Sequence, residues 1–128
     1  MLYLGFGPND RRENVRRAAA VSRLVADAGL ICLTALISPF RADRLSARSL
    51  LPSNRFVEVF ANAPLAVCEE RDVKGLYRRA RANEISDMTG ISSSYEPPDS
   101  PEVEVRTDIL TVEECVAHIL EAVKTRLF

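Results

Sequence analysis

Arg11 and Asn14 stand three residues apart, so on a helix they point in similar directions and could grip one anion between them. An arginine fork suits phosphate or sulfate, an asparagine amide adds directional hydrogen bonds, and Phe6 just upstream offers a face on which a base could stack. The same pattern also fits a solvated helix face in which Arg11, Arg12, Arg16 and Arg17 pair with Asp10 and Glu13. A second cationic group, Lys74, Arg78, Arg79 and Arg81, shares its segment with Gly75, Leu76 and Tyr77. It fits a lid that brings positive charge over a transferring group while excluding water, and equally an exposed basic helix. Ser38 closes an apolar run just before Pro39, a position biased towards extended backbone, where most serines only terminate strands. His118, the sole histidine, has no evident partner for a triad or a metal site and is assigned no role. Cys32, Cys68 and Cys115 have neither the spacing of a zinc site nor the density of a disulfide framework. They read as reduced, buried thiols, and no metal site is expected.

The elements that must position these residues alternate. A helix is expected from Asp10, with Asp10 as its cap and Glu13 in the capping-box position, and Gly29 just past its end. Val15, Ala18, Ser22 and Val25 form one stripe, with Val21, Leu24 and Ala28 beside it. Leu30 to Ile37 is an apolar run of strand length, as in a strand covered on both faces of a parallel sheet. A helix over about 42–51, a strand over 56–60 and a helix opening at Pro64 follow. Residues 71–81 then read as a mobile cover, and 90–101 as an irregular loop. A last strand, Val103 to Val105, precedes a helix capped by Thr111 with Glu114 as its capping-box partner. Val112, Cys115, Val116, Ile119, Leu120 and Val123 make that helix's apolar face. The pattern predicts an α/β fold with right-handed crossovers and a ligand cleft beyond the C-terminal strand ends, near 38–44, 62–64 and 107–108.

The 128 residues, 47% hydrophobic, suffice for one core, and 17 basic against 18 acidic side chains provide no broad basic surface. One domain spanning 1–128 is expected, without a nucleic-acid partner. No run is long enough to span a bilayer, and the residues from Met1 to Leu4 lack a signal peptide's features, which predicts a cytoplasmic protein with no membrane partner.

Several segments in register carry a resemblance. They are Leu4-Gly5-Phe6 with Asp10-Arg11 and Glu13-Asn14-Val15-Arg16-Arg17, Ala26-Asp27-Ala28-Gly29-Leu30, and Ile37-Ser38-Pro39-Phe40-Arg41-Ala42-Asp43-Arg44. Arg71 through Tyr77, Thr89-Gly90-Ile91, Ser94-Tyr95-Glu96-Pro97-Pro98 and Thr107-Asp108 continue the order. Together they resemble the adenylylsulfate kinases across nearly the whole chain. The resemblance implies a three-layer, P-loop-kinase-like parallel sheet with a lid at about 71–90. It also implies transfer of a phosphoryl group from MgATP to the 3′-hydroxyl of adenylylsulfate in sulfate assimilation. Phe6, Arg11, Asn14, Ile37, Ser38, Lys74, Met88 and Thr89 are then implied at adenylylsulfate, and Arg71 on the ATP side. Ser38 matches the serine proposed in the family as a phosphoserine intermediate, although in-line transfer needs no covalent enzyme. Two positions depart from the pattern. Met88 stands where phenylalanine is common and would stack on the adenine opposite Phe6, which predicts weakened affinity in an adenylylsulfate titration. Asn83 replaces a usual glycine, which predicts a stiffer lid backbone.

A phosphate-binding loop of the type G-x-x-x-x-G-K-[ST] needs glycines to turn backbone N–H groups onto phosphates, a lysine for their charge and a hydroxyl on magnesium. None of Gly5, Gly7, Gly29, Gly75 and Gly90 belongs to such a loop. The family's Asp-Gly-Asp segment is not found either. The chain therefore reads as the C-terminal part of a kinase domain without its N-terminal β-α-β unit, predicted inactive alone, with MgATP not expected to bind well. Apolar strand and helix surface should be left bare and need a homodimer partner or a complementary polypeptide. Two other readings stay open: a non-catalytic nucleotide-binding regulatory module, and the structural half of a split enzyme.

Overall fold

In a computed structural model, residues 4–128 are described; residues 1–3, part of the segment read above as lacking a signal peptide, lie outside them. Helix α1, Pro8–Asp27, starts three residues earlier than a helix capped by Asp10 would. Proline at its first position lacks an N–H that would be unpaired there anyway, and its fixed φ suits the helix start. Asp10 is consequently inside the first turn rather than the cap; Gly7 is the N-cap, with no side-chain capping bond. Glu13 is correspondingly free of the capping box and binds Arg16 (2.7 Å) and Arg17 (2.7 Å) instead. The other end is as read. Gly29 has φ +83°, its N–H reaches the Ala26 carbonyl and the Leu30 N–H that of Val25, the paired bonds that close a helix through a left-handed residue.

Helix α2 is Arg41–Arg48, shorter than its expected span by the turn that ends at Leu51. Strand β1, Val59–Asn62, begins after a short 3-10 turn, Ser53–Arg55. The expected strand from Phe56 is shifted because ladder pairing sets it: Val59 opposes Val103 and Asn62 opposes Arg106, in parallel, with strand β2, Val103–Arg106. Helix α3, Leu65–Arg71, follows Pro64 as read, and helix α4 is Leu76–Arg81. Helix α5, Val112–Leu127, has the full capping box: the Glu114 N–H donates to Thr111 Oγ1 and the Thr111 N–H to the Glu114 carboxylate.

The run from Leu30 to Ile37 forms no strand, contrary to expectation. A strand exists only through ladder bonds to a neighbour, and β1 and β2 pair with each other alone among the described residues. Leu30, Ile31, Leu33, Leu36 and Ile37 are exposed, Leu33 by 84%. Helix α1 shows the same division. Val15 is buried and Ala18, Ser22 and Val25 are half-buried, whereas Val21 and Leu24 are exposed, Leu24 by 71%. On α5, Cys115 is buried and Ile119 and Val123 half-buried, with Val112, Val116 and Leu120 exposed. Apolar side chains expected to lie bare are exposed on α1, on the 30–37 run and on α5. The interior is small. Val105 of β2 and Cys115 of α5 are buried, while Ala80, Ile85 and Met88 form a separate cluster with Leu76, Tyr77 and Ile91 against it.

Candidate functional site

The α1 end of the site is tied together by Arg11. Its Nε donates to the Phe6 carbonyl (2.9 Å) and its Nη2 reaches the Asp87 carbonyl at 3.4 Å. The guanidinium carbon lies 5.7 Å from the centroid of the Phe6 ring, a cation–π distance. Burial pulls the Arg11 pKa below its ordinary range, opposed by the nearby Asp87 carboxylate. This cation is held by backbone carbonyls rather than neutralised in an ion pair, and such a cation stays available to an anionic ligand. Phe6 is exposed and so is Asn14, so the face that sequence reasoning assigned to a nucleotide is open.

Asp87 leads into Met88 and Thr89, both buried. Met88, only 3% exposed, belongs to the apolar cluster under α4, so almost none of its side chain is open to a ligand. It anchors the segment rather than presenting a flat surface beside Phe6. The Thr89 hydroxyl is buried without a hydrogen-bond partner among the described residues. Buried polar atoms are seldom left so, and this hydroxyl shares the condition with Oδ2 of Asp43.

Helix α4 is framed at both ends by local chemistry. Asp72 accepts hydrogen bonds from the N–H groups of Tyr77 and Arg78, both at 3.0 Å. Those bonds, that from the Arg78 N–H foremost, hold its carboxyl below the usual range against the opposing effect of burial. At the far end Asn83 adopts φ +59°, and the Asn83 and Glu84 N–H groups bond the carbonyls of Ala80 and Arg79. Asparagine is among the few side chains that tolerate this region, which explains how it stands where the resembling sequences carry glycine. Arg71 reaches across to β2, with Nη2 on the Thr107 carbonyl at 2.6 Å. Lys74 is exposed and takes no hydrogen bond or ion pair among the described residues.

Ser38 departs from its expected extended backbone: its φ is +42°. Pro39 beside it is fully buried, and its carbonyl accepts the Glu96 N–H at 2.9 Å. Arg44 donates to the Ser38 carbonyl (2.6 Å) and the Glu96 carbonyl (2.6 Å) and pairs with Glu58 (2.9 Å). Sequence reasoning gave Arg44 only a place at the edge of the expected cleft and assigned nothing to Arg48, Glu58 or Glu102; the four form one connected set of ion pairs. A signal was present: Arg44 and Arg48 are four apart on one helix, and each glutamate immediately precedes a strand.

Six of the nine expected residues thus fall into three tethered groups, Phe6 and Arg11 with the segment from Asp87 to Thr89, Ser38 with the Glu96 loop, and Arg71 with Thr107, while the exposed Asn14, Ile37 and Lys74 belong to none of them. No hydrogen bond among the described residues joins one group to another. Two clefts elsewhere, one lined by Val103, His118 and Thr125 and one by Leu45, Pro98 and Ser100, contain none of the expected substrate residues.

Residues 2–106 match the family described as Adenylylsulphate kinase. The chain belongs to that family. Adenylyl-sulfate kinases of Staphylococcus haemolyticus and Acaryochloris marina are 50% and 51% identical to it over 123 residues, 96% of this chain. That of Vibrio parahaemolyticus is 53% identical over the same length. The chain spans about 60% of the length of these relatives, 62%, 60% and 60% respectively. In three dimensions it is similar to the APS kinase of Mycobacterium tuberculosis, solved in complex with AMPPNP and APS. The TM-score is 0.87 at 40% identity, over 94% of this chain and 70% of that one. The α/β kinase fold class read from the sequence therefore holds, although among the described residues only two strands form a ladder.

The sequence holds no Gly-Lys-Ser or Gly-Lys-Thr, and the described residues hold no group of three His, Cys, Asp or Glu side chains able to ligate a metal. Arg71, expected on the ATP side, is occupied with Thr107. No helix among the described residues is long and apolar enough to cross a membrane.

Proposed function

We propose that this chain is the acceptor-nucleotide part of an adenylylsulfate kinase, which binds adenylylsulfate for transfer of a phosphoryl group from ATP to its 3′-hydroxyl. The observation that carries the reading is Arg11, a cation held by two backbone carbonyls beside an exposed Phe6 ring. Phe6 takes the adenine on its face, and Arg11 and Asn14 take the polar and anionic groups. Ile37 and Ser38 border the same nucleotide, Lys74 closes over it, and Thr89 supplies a hydroxyl that has no other partner here. Met88 fixes the segment that carries Thr89. No step runs through a phosphoserine at Ser38, because direct in-line transfer accounts for the reaction. The donor phosphates need a loop that these 128 residues do not contain, and the exposed apolar face of α1, the Leu30 to Ile37 run and α5 is where a polypeptide bearing it would pack. Three free thiols and an ATP-linked reaction suit the cytoplasm.

Calorimetric titration tests the proposal. The chain is expected to bind adenylylsulfate, and Arg11→Ala to weaken binding by roughly ten- to a hundredfold, the loss of a charged hydrogen-bonding group worth about 1.5–3 kcal/mol. Arg12→Ala, whose side chain pairs with Asp43 at 3.2 Å, is the control and should change affinity less than about threefold. Equal binding by wild type and Arg11→Ala would refute the assignment.

A further inference from the structure

Arg44 uses its whole guanidinium: Nε on Glu58, Nη1 on the Ser38 carbonyl, Nη2 on the Glu96 carbonyl, with Tyr95 below it at 5.9 Å. Its side chain is only 12% exposed. Neither carbonyl has another donor among the described residues, whereas Glu58 also has Arg48. The planar fork matters because a lysine ammonium cannot reproduce three donors set in one plane. What the fork holds is an unfavourable conformation. Ser38 lies in the left-handed region at φ +42°, disfavoured for any residue with a Cβ, and it precedes a proline, which further narrows its choices. Such a residue persists only where its surroundings over-determine it, and such residues gather at functional sites.

We propose that Arg44 is a positioning residue: it locks Ser38 in the left-handed conformation and thereby sets the edge of the acceptor-nucleotide site. The inference rests on the reading that Ile37 and Ser38 border adenylylsulfate. The lock is built from both sides, since the Glu96 loop that Arg44 holds also bonds the Pro39 carbonyl and, through the Glu96 carboxylate, the Arg41 N–H at 2.7 Å. Disturbing Arg44 therefore removes the donor shared by the Ser38 and Glu96 carbonyls, while the Glu96 loop stays bonded to Pro39 and Arg41.

Glycine has no penalty in the left-handed region, which supplies the test. Arg44→Met and Arg44→Lys are made in the wild-type chain and in Ser38→Gly, and adenylylsulfate affinity and thermal midpoint are measured for all. In the serine background Arg44→Met is expected to weaken binding tenfold or more, with Arg44→Lys recovering only part. In the glycine background the loss on Arg44→Met should shrink below threefold, because the backbone no longer needs to be forced. A residue that only supported the fold through Glu58 would cost the same in both backgrounds, and that result would overturn the proposal, as would wild-type affinity in Arg44→Met. Should Arg44→Met fail to fold, Arg44→Lys carries the comparison. If the wild-type chain does not bind adenylylsulfate, the site reading falls; a smaller drop in midpoint in the glycine background still supports the lock, and an equal drop overturns it.

Discussion

Given MgATP and adenylylsulfate, the 128-residue chain is expected to form 3′-phosphorylated product at least about 10⁴-fold more slowly than an adenylylsulfate kinase carrying its phosphate loop. Phosphoryl transfer leaves little covalent chemistry to the protein; catalysis is positioning and neutralisation of charge around the triphosphate and its magnesium. In the proposed assignment Arg11, Asn14 and Lys74 hold only the acceptor. None of the five glycines opens a Gly-Lys-Ser or Gly-Lys-Thr sequence, so backbone N–H groups have no cradle in which to converge on the β- and γ-phosphates. Adding a polypeptide that carries such a loop, in trans or fused ahead of Met1, is expected to restore turnover and to cover Val21, Leu24 and the residues from Leu30 to Ile37. Assay of the radiolabelled product from γ-labelled ATP distinguishes the cases. Robust turnover by the chain alone would mean that some other part of it binds the donor phosphates, and the division into acceptor and donor parts would be wrong.

Replacing Glu102 with glutamine is expected to destabilise the fold by on the order of 3 kcal/mol at neutral pH. Glu102 accepts hydrogen bonds from both Nη groups of Arg48 at 2.8 Å and from the Glu58 N–H at 2.6 Å, and it forms an ion pair with Arg126 at 3.2 Å. Its side chain is 9% exposed, and these bonds close α2, the approach to both strands and α5 into one unit. Burial by itself pushes the Glu102 carboxyl up, but the Arg48 fork and the Glu58 N–H outweigh it and bring the pKa from 4.5 down to about 2. Because the folded value is the lower one, this stabilisation is complete above about pH 5 and is lost as pH falls through 4.5 towards 2. Urea unfolding across that range should therefore show the gap between wild type and Glu102→Gln closing in acid. Glu104→Gln, an exposed position whose carboxylate accepts only from Asn62 among the described residues, should stay within about 0.5 kcal/mol of wild type at every pH. A gap independent of pH would show that the charge of Glu102 is not what matters.

The legible parts of the fold were those written within a few adjacent residues. Gly29 past the end of α1, Pro64 before α3, and Thr111 with Glu114 at α5 each state a helix boundary, because the bonds that end a helix are local. The N-terminus of α1 was misread for the same reason: Asp10 and Glu13 have the spacing of a capping box, but Pro8 had already started the helix. The run from Leu30 to Ile37 has a strand's composition and no strand's structure, since ladder bonds depend on a neighbour that no local pattern supplies. Ser38 was likewise read from the preference imposed by Pro39, whereas its φ of +42° goes with tertiary bonds, the one from Arg44 to its carbonyl among them, that no local pattern states.

The candidate site divides the same way. Residue type alone made Arg11, Asn14 and Phe6 candidates for an anionic nucleotide, because a guanidinium, an amide and a ring announce their chemistry wherever they stand. That Arg11 grips Asp87 across 76 residues of chain, that Met88 is core and that Thr89 keeps a buried, unpaired hydroxyl were decided only by tertiary packing. Sequence by itself determined which functional groups exist and where helices start and stop. Their exposure, their partners and the strained backbone at Ser38 depend on contacts between segments far apart in the chain, and only folding in three dimensions brings those segments within bonding distance.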